Sequence, residues 1–265
     1  EVRLQKAGGP MKETGTLVIG TTALACGVTS RLGADCTVVD SGWSAGAEFA
    51  DAMVAEPIDL ARNRAPLSAA LAEELWERNA LSRTGEVHCP ALAGAFAKRF
   101  GAAGCRVLLG TRVLGIARQA DGFLVTLFLP REGKTELYAE RVIDTEPRAF
   151  MEYRKTFSLM LTGGIPQVGG EGAPRVRHGR FADESVLTFD VPRDSTLPDA
   201  QKIADRWLRE NRARLGGAVV AGPALAFGYR FDAVVDVTRD GVRYVPSASY
   251  PDAVSAFEGG ETLCL

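Results

Sequence analysis

Six residues, Gly20-Thr21-Thr22-Ala23-Leu24-Ala25, follow the apolar run Leu17-Val18-Ile19 and open a stretch of small residues. A strand that ends on a glycine turn and feeds directly into a helix offers an anion both backbone amides and the positive end of the helix dipole. The full dinucleotide fingerprint asks for three glycines here, for the tight turn, for backbone approach to a diphosphate and for close packing of helix on sheet. Gly20 is kept, Thr22 stands in the second place and Ala25, a small substitute, in the third. Thr22 crowds a diphosphate unless its own hydroxyl contacts a phosphate oxygen. Asp40 lies 20 residues after Gly20 (40 minus 20), at the end of Thr37-Val38-Val39, where an acid accepts hydrogen bonds from a ribose. These positions read as a dinucleotide site, and Asp40 permits NAD as well as FAD. The competing reading is a parallel sheet whose glycine turn binds nothing.

Other reactive groups give less. His88 and Cys89 are adjacent, but neighbours in an extended segment point to different sides, so adjacency alone does not make a thiolate pair. His178, in Arg175-Val176-Arg177-His178-Gly179-Arg180, reads as part of a solvated loop, with a basic patch for an acidic substrate as the sharper alternative. Two histidines without clustered acids give no metal site. Trp76 and Trp207 read as packing aromatics, while Trp43 is close enough to Asp40 to flank a cofactor. No catalytic acid or base can be assigned.

The elements that must position Gly20 and Asp40 are legible around them. Leu17–Ile19 and Thr37–Val39 are uninterrupted apolar runs, as in strands buried on both faces, and the small-residue helix between them runs to Leu32 and stops at Gly33. A helix over 67–80 places Leu67, Leu71, Leu75 and Trp76 on one face behind Pro66, and another over 91–101 places Leu92, Phe96 and Phe100 four apart, stopped by Gly101 or Gly104. From 106 the period turns to two. Runs at 106–109, 112–116, 122–128 and 135–138 read as an antiparallel meander with Asp121-Gly122 and Glu132-Gly133 turns, and Arg141–Asp144 as a short strand rejoining the parallel sheet. Beyond it, strand-like runs at 157–161, 185–189, 218–226 and 233–238, a Gly-rich loop from Gly163 to Gly172 and a helix from Pro198 to Leu215 behind Asp194-Ser195-Thr196 form a strand-rich second lobe.

Gly15 to Gly42, Gly85-Glu86-Val87-His88-Cys89-Pro90 with its helix, Gly101 to Ile116 with Gly110-Thr111-Arg112-Val113, and Arg141 to Asp144 together resemble the FAD-dependent oxidoreductases of the glutathione-reductase-like superfamily, particularly the bacterial group related to fumarate reductase flavoproteins. The resemblance covers about the first 150 residues. It implies a diphosphate over Gly20 to Ala25, ribose on Asp40, adenine on the backbone at Val113, and flavin-side contacts from Ser41, Gly42 and Trp43 and from Thr145 in Asp144-Thr145-Glu146-Pro147. Glu146 and Pro147 replace residues that keep backbone near the cofactor. The late Gly-Asp strand and helix that close the flavin site in that group have no clear counterpart before Leu265, Gly259-Gly260-Glu261 being the nearest, so a second chain or second copy is expected to complete the site.

The 265 residues, 46% hydrophobic and 24% charged, exclude a disordered chain, and a net charge of −2 gives no basic field for nucleic acid. No apolar run spans a bilayer and no signal-peptide pattern opens the chain, so the expected location is cytoplasmic, with no membrane partner. The five cysteines, odd in number and without paired spacing, read as reduced. Residues 1–10 read as a cloning remnant ahead of Met11. The expected fold is α/β: an FAD/NAD(P)-binding Rossmann-like parallel sheet with an antiparallel meander over 11–150, and a strand-rich α+β substrate or capping lobe over 151–265. The expected function is FAD-dependent hydride transfer with a small-molecule substrate; the alternatives are a cofactor-free relative serving as a binding or scaffold subunit, and an NAD-binding protein. All of this rests on whether the helix-mouth amides can take a diphosphate despite Thr22, since a crevice filled by protein atoms would leave the architecture alone.

Overall fold

The computed structural model describes residues 12–62, 64–169 and 172–265. Residues 1–10, and residues 170 and 171 of the Gly-rich loop, lie outside them. In chain order the elements are β1 (Lys12–Ile19), α1 (Ala23–Leu32), β2 (Cys36–Val39), α2 (Pro66–Glu77), α3 (Pro90–Ala103), β3 (Arg106–Leu108), β4 (Arg112–Gln119), β5 (Gly122–Leu129) and β6 (Gly133–Asp144). They continue with β7 (Arg154–Thr162), β8 (Arg175–His178), β9 (Ser185–Val191), α4 (Leu197–Glu210), β10 (Val219–Pro223), β11 (Gly228–Arg230), β12 (Val237–Arg239), β13 (Val242–Tyr244) and α5 (Ala253–Thr262).

The first sheet runs β12-β13-β6-β1-β2-β3, and its strands from β13 to β3 pair in parallel. Successive side chains of a strand point to opposite faces. Val18, Val38 and Ile143 therefore face a core shared with α1, α2, α3 and α5, while Leu17, Ile19, Val39 and Val142 face a second core under β5. Both faces are covered, which is why these strands read as unbroken apolar runs.

The meander is β4, β5 and β6, without β3, which instead extends the parallel sheet beside β2. β6 is one strand of 12 residues where two were expected, because Ala139-Glu140 contains no turn residue; its early half pairs with β5 and its later residues continue along β1 as far as Asp144. The second sheet, β10-β7-β9-β8 with β11 also on β7, carries α4 through Phe157, Leu159, Phe189, Ala204 and Trp207. Arg175–His178 is an edge strand of this sheet rather than a loop. The chain then returns to the first sheet: Asp240-Gly241, both with positive φ, turns β12 into β13, and β13 pairs with the end of β6.

Helix ends follow their sequences closely. Gly33 (φ 60°) and Gly104 (φ 72°) stop α1 and α3, and Thr196 with Asp199 forms a capping box on α4. The helix α4 ends at Glu210, five residues short of the expected end (215 minus 210), with Asn211 Nδ2 donating to the Trp207 carbonyl and a 3-10 turn after it. On α2 the buried stripe is Ser68, Leu71 and Leu75, while Leu67 (38%) and Trp76 (43%) are exposed.

Late in the chain a strand, β13, and a helix, α5, are present. The helix α5 lies directly on α1: a Cβ at Gly27 would meet the Phe257 carbonyl at 2.0 Å, and one at Gly260 the Leu24 carbonyl at 2.0 Å. Both glycines are there for close backbone approach. Gly260→Val should therefore destabilise the protein by about 3 kcal/mol through overpacking, read as a drop in the urea midpoint at unchanged slope; an unchanged midpoint would show that the two helices can part without cost.

Candidate functional site

The mouth of α1 opens at the carboxyl ends of β1, β2 and β6, beside the turn at Gly20. Gly20 has φ 95°, and a side chain there would strike Thr145 Oγ1 at 2.8 Å, so the tight turn needs glycine. Thr22 is the N-cap: its Oγ1 accepts from Ala25 N at 3.1 Å and donates to Thr145 Oγ1 at 2.8 Å, which donates to the Ile19 carbonyl at 2.7 Å. The Thr22 hydroxyl is thereby committed to the helix end and to Thr145.

Asp40 holds the turn from the β2 side. Its Oδ2 accepts from Thr21 N at 2.6 Å and from Thr21 Oγ1 at 2.5 Å, and its Oδ1 from Gly42 N at 2.6 Å. Two further amides of the mouth, those of Ala23 and Leu24, have partners that the sequence did not announce. Ala23 N donates to Glu48 Oε1 at 2.8 Å, Leu24 N donates to Ser247 Oγ at 3.2 Å, and Ser247 Oγ donates to the same Glu48 oxygen at 2.7 Å. Glu48 is held there by its flanks: Gly46 (φ 67°) donates to the Thr21 carbonyl at 2.7 Å and lies under the Phe96 ring, and Phe49 is buried in the core. Ser247 is 199 residues from Glu48, a distance at which no sequence spacing gives a signal.

In front of the mouth lies an open crevice of about 430 Å³ lined by Thr22, Asp40, Trp43, Glu48, Asp51 and Glu146 among others. Trp43, 74% exposed, lies with its ring on Gly110. Glu146 also lines a cavity of about 660 Å³ at the ends of β1 and β2 and the start of β4, together with Ser41, Val113, Asp144 and Arg148. On the other side Glu48 and Tyr229 also line a cavity of about 390 Å³ against the second sheet, with Arg175, Arg177 and Arg230. The structure thus brings Gly20 to Ala25, Asp40 to Trp43 and Thr145 together, with Val113 in the neighbouring cavity. His88 Nδ1 lies 3.0 Å from both Glu184 carboxylate oxygens, and the Cys89 thiol is fully buried and pushed up to about 12, so the pair makes no nucleophile.

Charge at the crevice is tuned by burial. Glu48 is pushed up to about 7 by desolvation, against the hydrogen bonds from Ser247 and Ala23. Glu146 is likewise raised to about 7 by burial, with Arg148 opposing at 3.1 Å and Asp40 and Asp144 adding to the rise. Burial also raises Asp144, opposed by its 2.6 Å pair with Arg148. None of the described residues lining the 430 Å³ crevice is a lysine or an arginine. The crevice is therefore open and without a cation in its lining, while the Thr21, Ala23, Leu24 and Ala25 amides at its mouth are held by the chain's own oxygens.

No protein-family model and no curated protein matches the sequence. Among solved structures the chain is similar to glycine oxidase from Geobacillus kaustophilus, with a TM-score of 0.61 and 12% identity over 94% of this chain and 93% of that one. It is similar to a geranylgeranyl bacteriochlorophyll reductase-like protein from Thermoplasma acidophilum at 0.60 and 13%, over 95% and 77% of the two chains. A third is the myxobacterial chondrochloren halogenase, described as a variant of FAD-dependent halogenases, at 0.58 and 11% over 94% and 73%. These likenesses are of fold: the protein has the FAD/NAD(P)-binding Rossmann-like architecture with a second, antiparallel sheet. Among the described residues no helix is long and apolar enough to cross a membrane.

Glu48 and Glu146 both bind a proton more tightly in the folded chain than at the ordinary value of 4.5. Between the ordinary value and about 7 the native state holds more protons than the unfolded chain, so stability falls as pH rises through that window. The urea midpoint should decline from about pH 5 to about pH 8, and Glu48→Gln should flatten the decline; a midpoint that climbs over that interval contradicts the assignment.

Proposed function

We propose that the protein is an FAD-dependent oxidoreductase that transfers hydride between the flavin and a small molecule. The observation that carries the reading is the placement of Asp40 at the end of β2, beside the Gly20 turn, on a crevice that shares Glu146 with the Val113 cavity and Glu48 and Tyr229 with the cavity at the second sheet. In this reading Asp40 accepts a ribose hydroxyl, the backbone at Val113 meets adenine, and Ser41, Gly42, Trp43 and Thr145 line the path between the two sheets. The diphosphate takes the amides of Ala23 and Leu24 in place of Glu48 and Ser247. When bound, FAD supplies the redox chemistry. The chain's own part is to hold it extended and to present a substrate from the second sheet, where Arg175 and Arg230 share the single carboxylate of Asp190 at 3.4 Å each. Residues 12–150 with the returning β12, β13 and α5 form the nucleotide side, and β7 to β11 with α4 the substrate side.

A second reading, that of a cofactor-free relative acting as a binding subunit, is favoured by the occupancy of the α1 mouth by Glu48 and Ser247. A third, NAD in place of FAD, follows from Asp40, which serves either ribose. Titration of the purified protein with FAD and with NAD, followed by flavin fluorescence and equilibrium dialysis, separates the three. The expected result is saturable FAD binding that weakens about tenfold or more in Asp40→Ala, the scale of a lost hydrogen bond to a charged group. Binding of NAD alone, or of neither, refutes the proposal.

A further inference from the structure

Glu48 is the residue that the dinucleotide reading leaves unexplained. A helix mouth that receives a diphosphate keeps its first amides free, yet here Ala23 N is held at 2.8 Å by a carboxylate that also receives the Ser247 hydroxyl at 2.7 Å. The carboxylate has the charge and the oxygen spacing of part of a phosphate, and it stands at the positive end of a helix whose first seven residues, Ala23 to Thr29, are buried. It is an internal ligand of the anion site.

We propose that Glu48 is a specificity gate: its carboxylate competes with a diphosphate for the Ala23 amide and the Ser247 hydroxyl, and a dinucleotide enters only as that side chain gives up its charge and its place. The inference rests on the dinucleotide reading above. Its surroundings make proton uptake the route. Asp40 faces Glu48 from the end of β2 and Asp51 from its own turn, and Glu146 lines the same crevice beyond the end of β6. Cys26 of α1 is itself raised in part by Glu48. Tyr229 of β11 and Tyr250 ahead of α5 border it on the side of the second sheet. The arginines across that cavity are engaged with other acids, Arg177 with Glu56 at 2.8 Å and both Arg175 and Arg230 with Asp190. An ionised Glu48 thus has acids beside it and no cation in the crevice lining, in keeping with a carboxyl raised to about 7.

The test is the affinity for FAD as a function of pH, measured by quenching of flavin fluorescence on the full chain. With the displaced Glu48 carboxyl kept protonated by the diphosphate charge beside it, binding takes up one proton above about 7, and wild type should lose affinity about tenfold per pH unit there. Glu48→Gln, close in shape and without the charge, should bind more tightly at high pH with no such slope. Asp51→Asn, which removes a crevice charge without touching the α1 amides, should keep it. Far-ultraviolet circular dichroism and the urea midpoint confirm that each variant is folded. A wild-type slope that persists in Glu48→Gln, or equal affinity in the two proteins at every pH, overturns the gate while leaving the dinucleotide reading intact. Failure of both proteins to bind FAD at any pH overturns that reading, and the gate with it.

Discussion

The buried amino end of α1 is the constraint around which the molecule is arranged. The first amides of any helix have no intrahelical acceptor, and a buried donor left alone costs about 1–3 kcal/mol. Here the residues from Ala23 to Thr29 are all buried. Acceptors come instead from widely separated parts of the chain: Thr22 on Ala25, Asp40 on Thr21, Glu48 on Ala23 and Ser247 on Leu24. Those bonds tie the end of β2, the turn around Gly46 and the segment ahead of α5 to one point. The same solution appears at α2, whose Leu67 and Ser68 amides donate to Glu261 and whose N-cap Ala65 donates to Glu258, both on α5. The late helix thus packs on α1 by its glycines and caps α2 with its acids, and it locks the amino ends of both helices in place.

Most of what was legible in the sequence is local. The β1-α1-β2 unit, the stops at Gly33 and Gly104, the buried stripe of α3 and the cap of α4 each follow from short-range chemistry that a few neighbouring residues express completely. Pairing partners were harder. Arg106–Leu108 has the look of any short strand, and only its position after α3 sends it to the parallel edge beside β2. The turn at Asp240-Gly241 was a readable hairpin signal, but the strands on either side are three residues each, too short to show a period. For α5 the difficulty was composition: Gly259 and Gly260 sit in its middle and read as a loop, whereas at least Gly260 is there because a neighbouring helix backbone lies against it. Intrinsic propensity was overridden by tertiary contact.

Within the site, the positions that carry backbone chemistry, Gly20 and Asp40, were legible, because a turn and a strand end impose their residue types locally. Glu48 and Ser247 were not. An acid in a turn and a serine before a helix are ordinary solvent-facing residues in sequence, and their meeting depends on β13 returning beside β6 just ahead of Ser247, which lies 199 residues after Glu48. Thr22 was half read: its hydroxyl does face the helix mouth, but it serves the helix and Thr145.

The magnitudes at the mouth decide what the site can hold. A helix amino end stabilises an anion by about 0.3–1 kcal/mol, and by about 2 kcal/mol in a partly buried geometry. Two like charges about 4 Å apart repel by about 4 kcal/mol at an effective dielectric of about 20. The repulsion between an ionised Glu48 and a second anion at the same amides therefore exceeds what the dipole offers that anion. Arg148 cannot make up the difference, because it is shared between Asp144 at 2.6 Å and Glu146 at 3.1 Å. The mouth of α1 is thus a site for one anion, and the chain carries one of the contenders. In the proposed gate a diphosphate replaces Glu48 at Ala23 and Ser247, so that the selectivity of a degenerate fingerprint with a threonine in its second position lies with a residue 25 positions after Ala23.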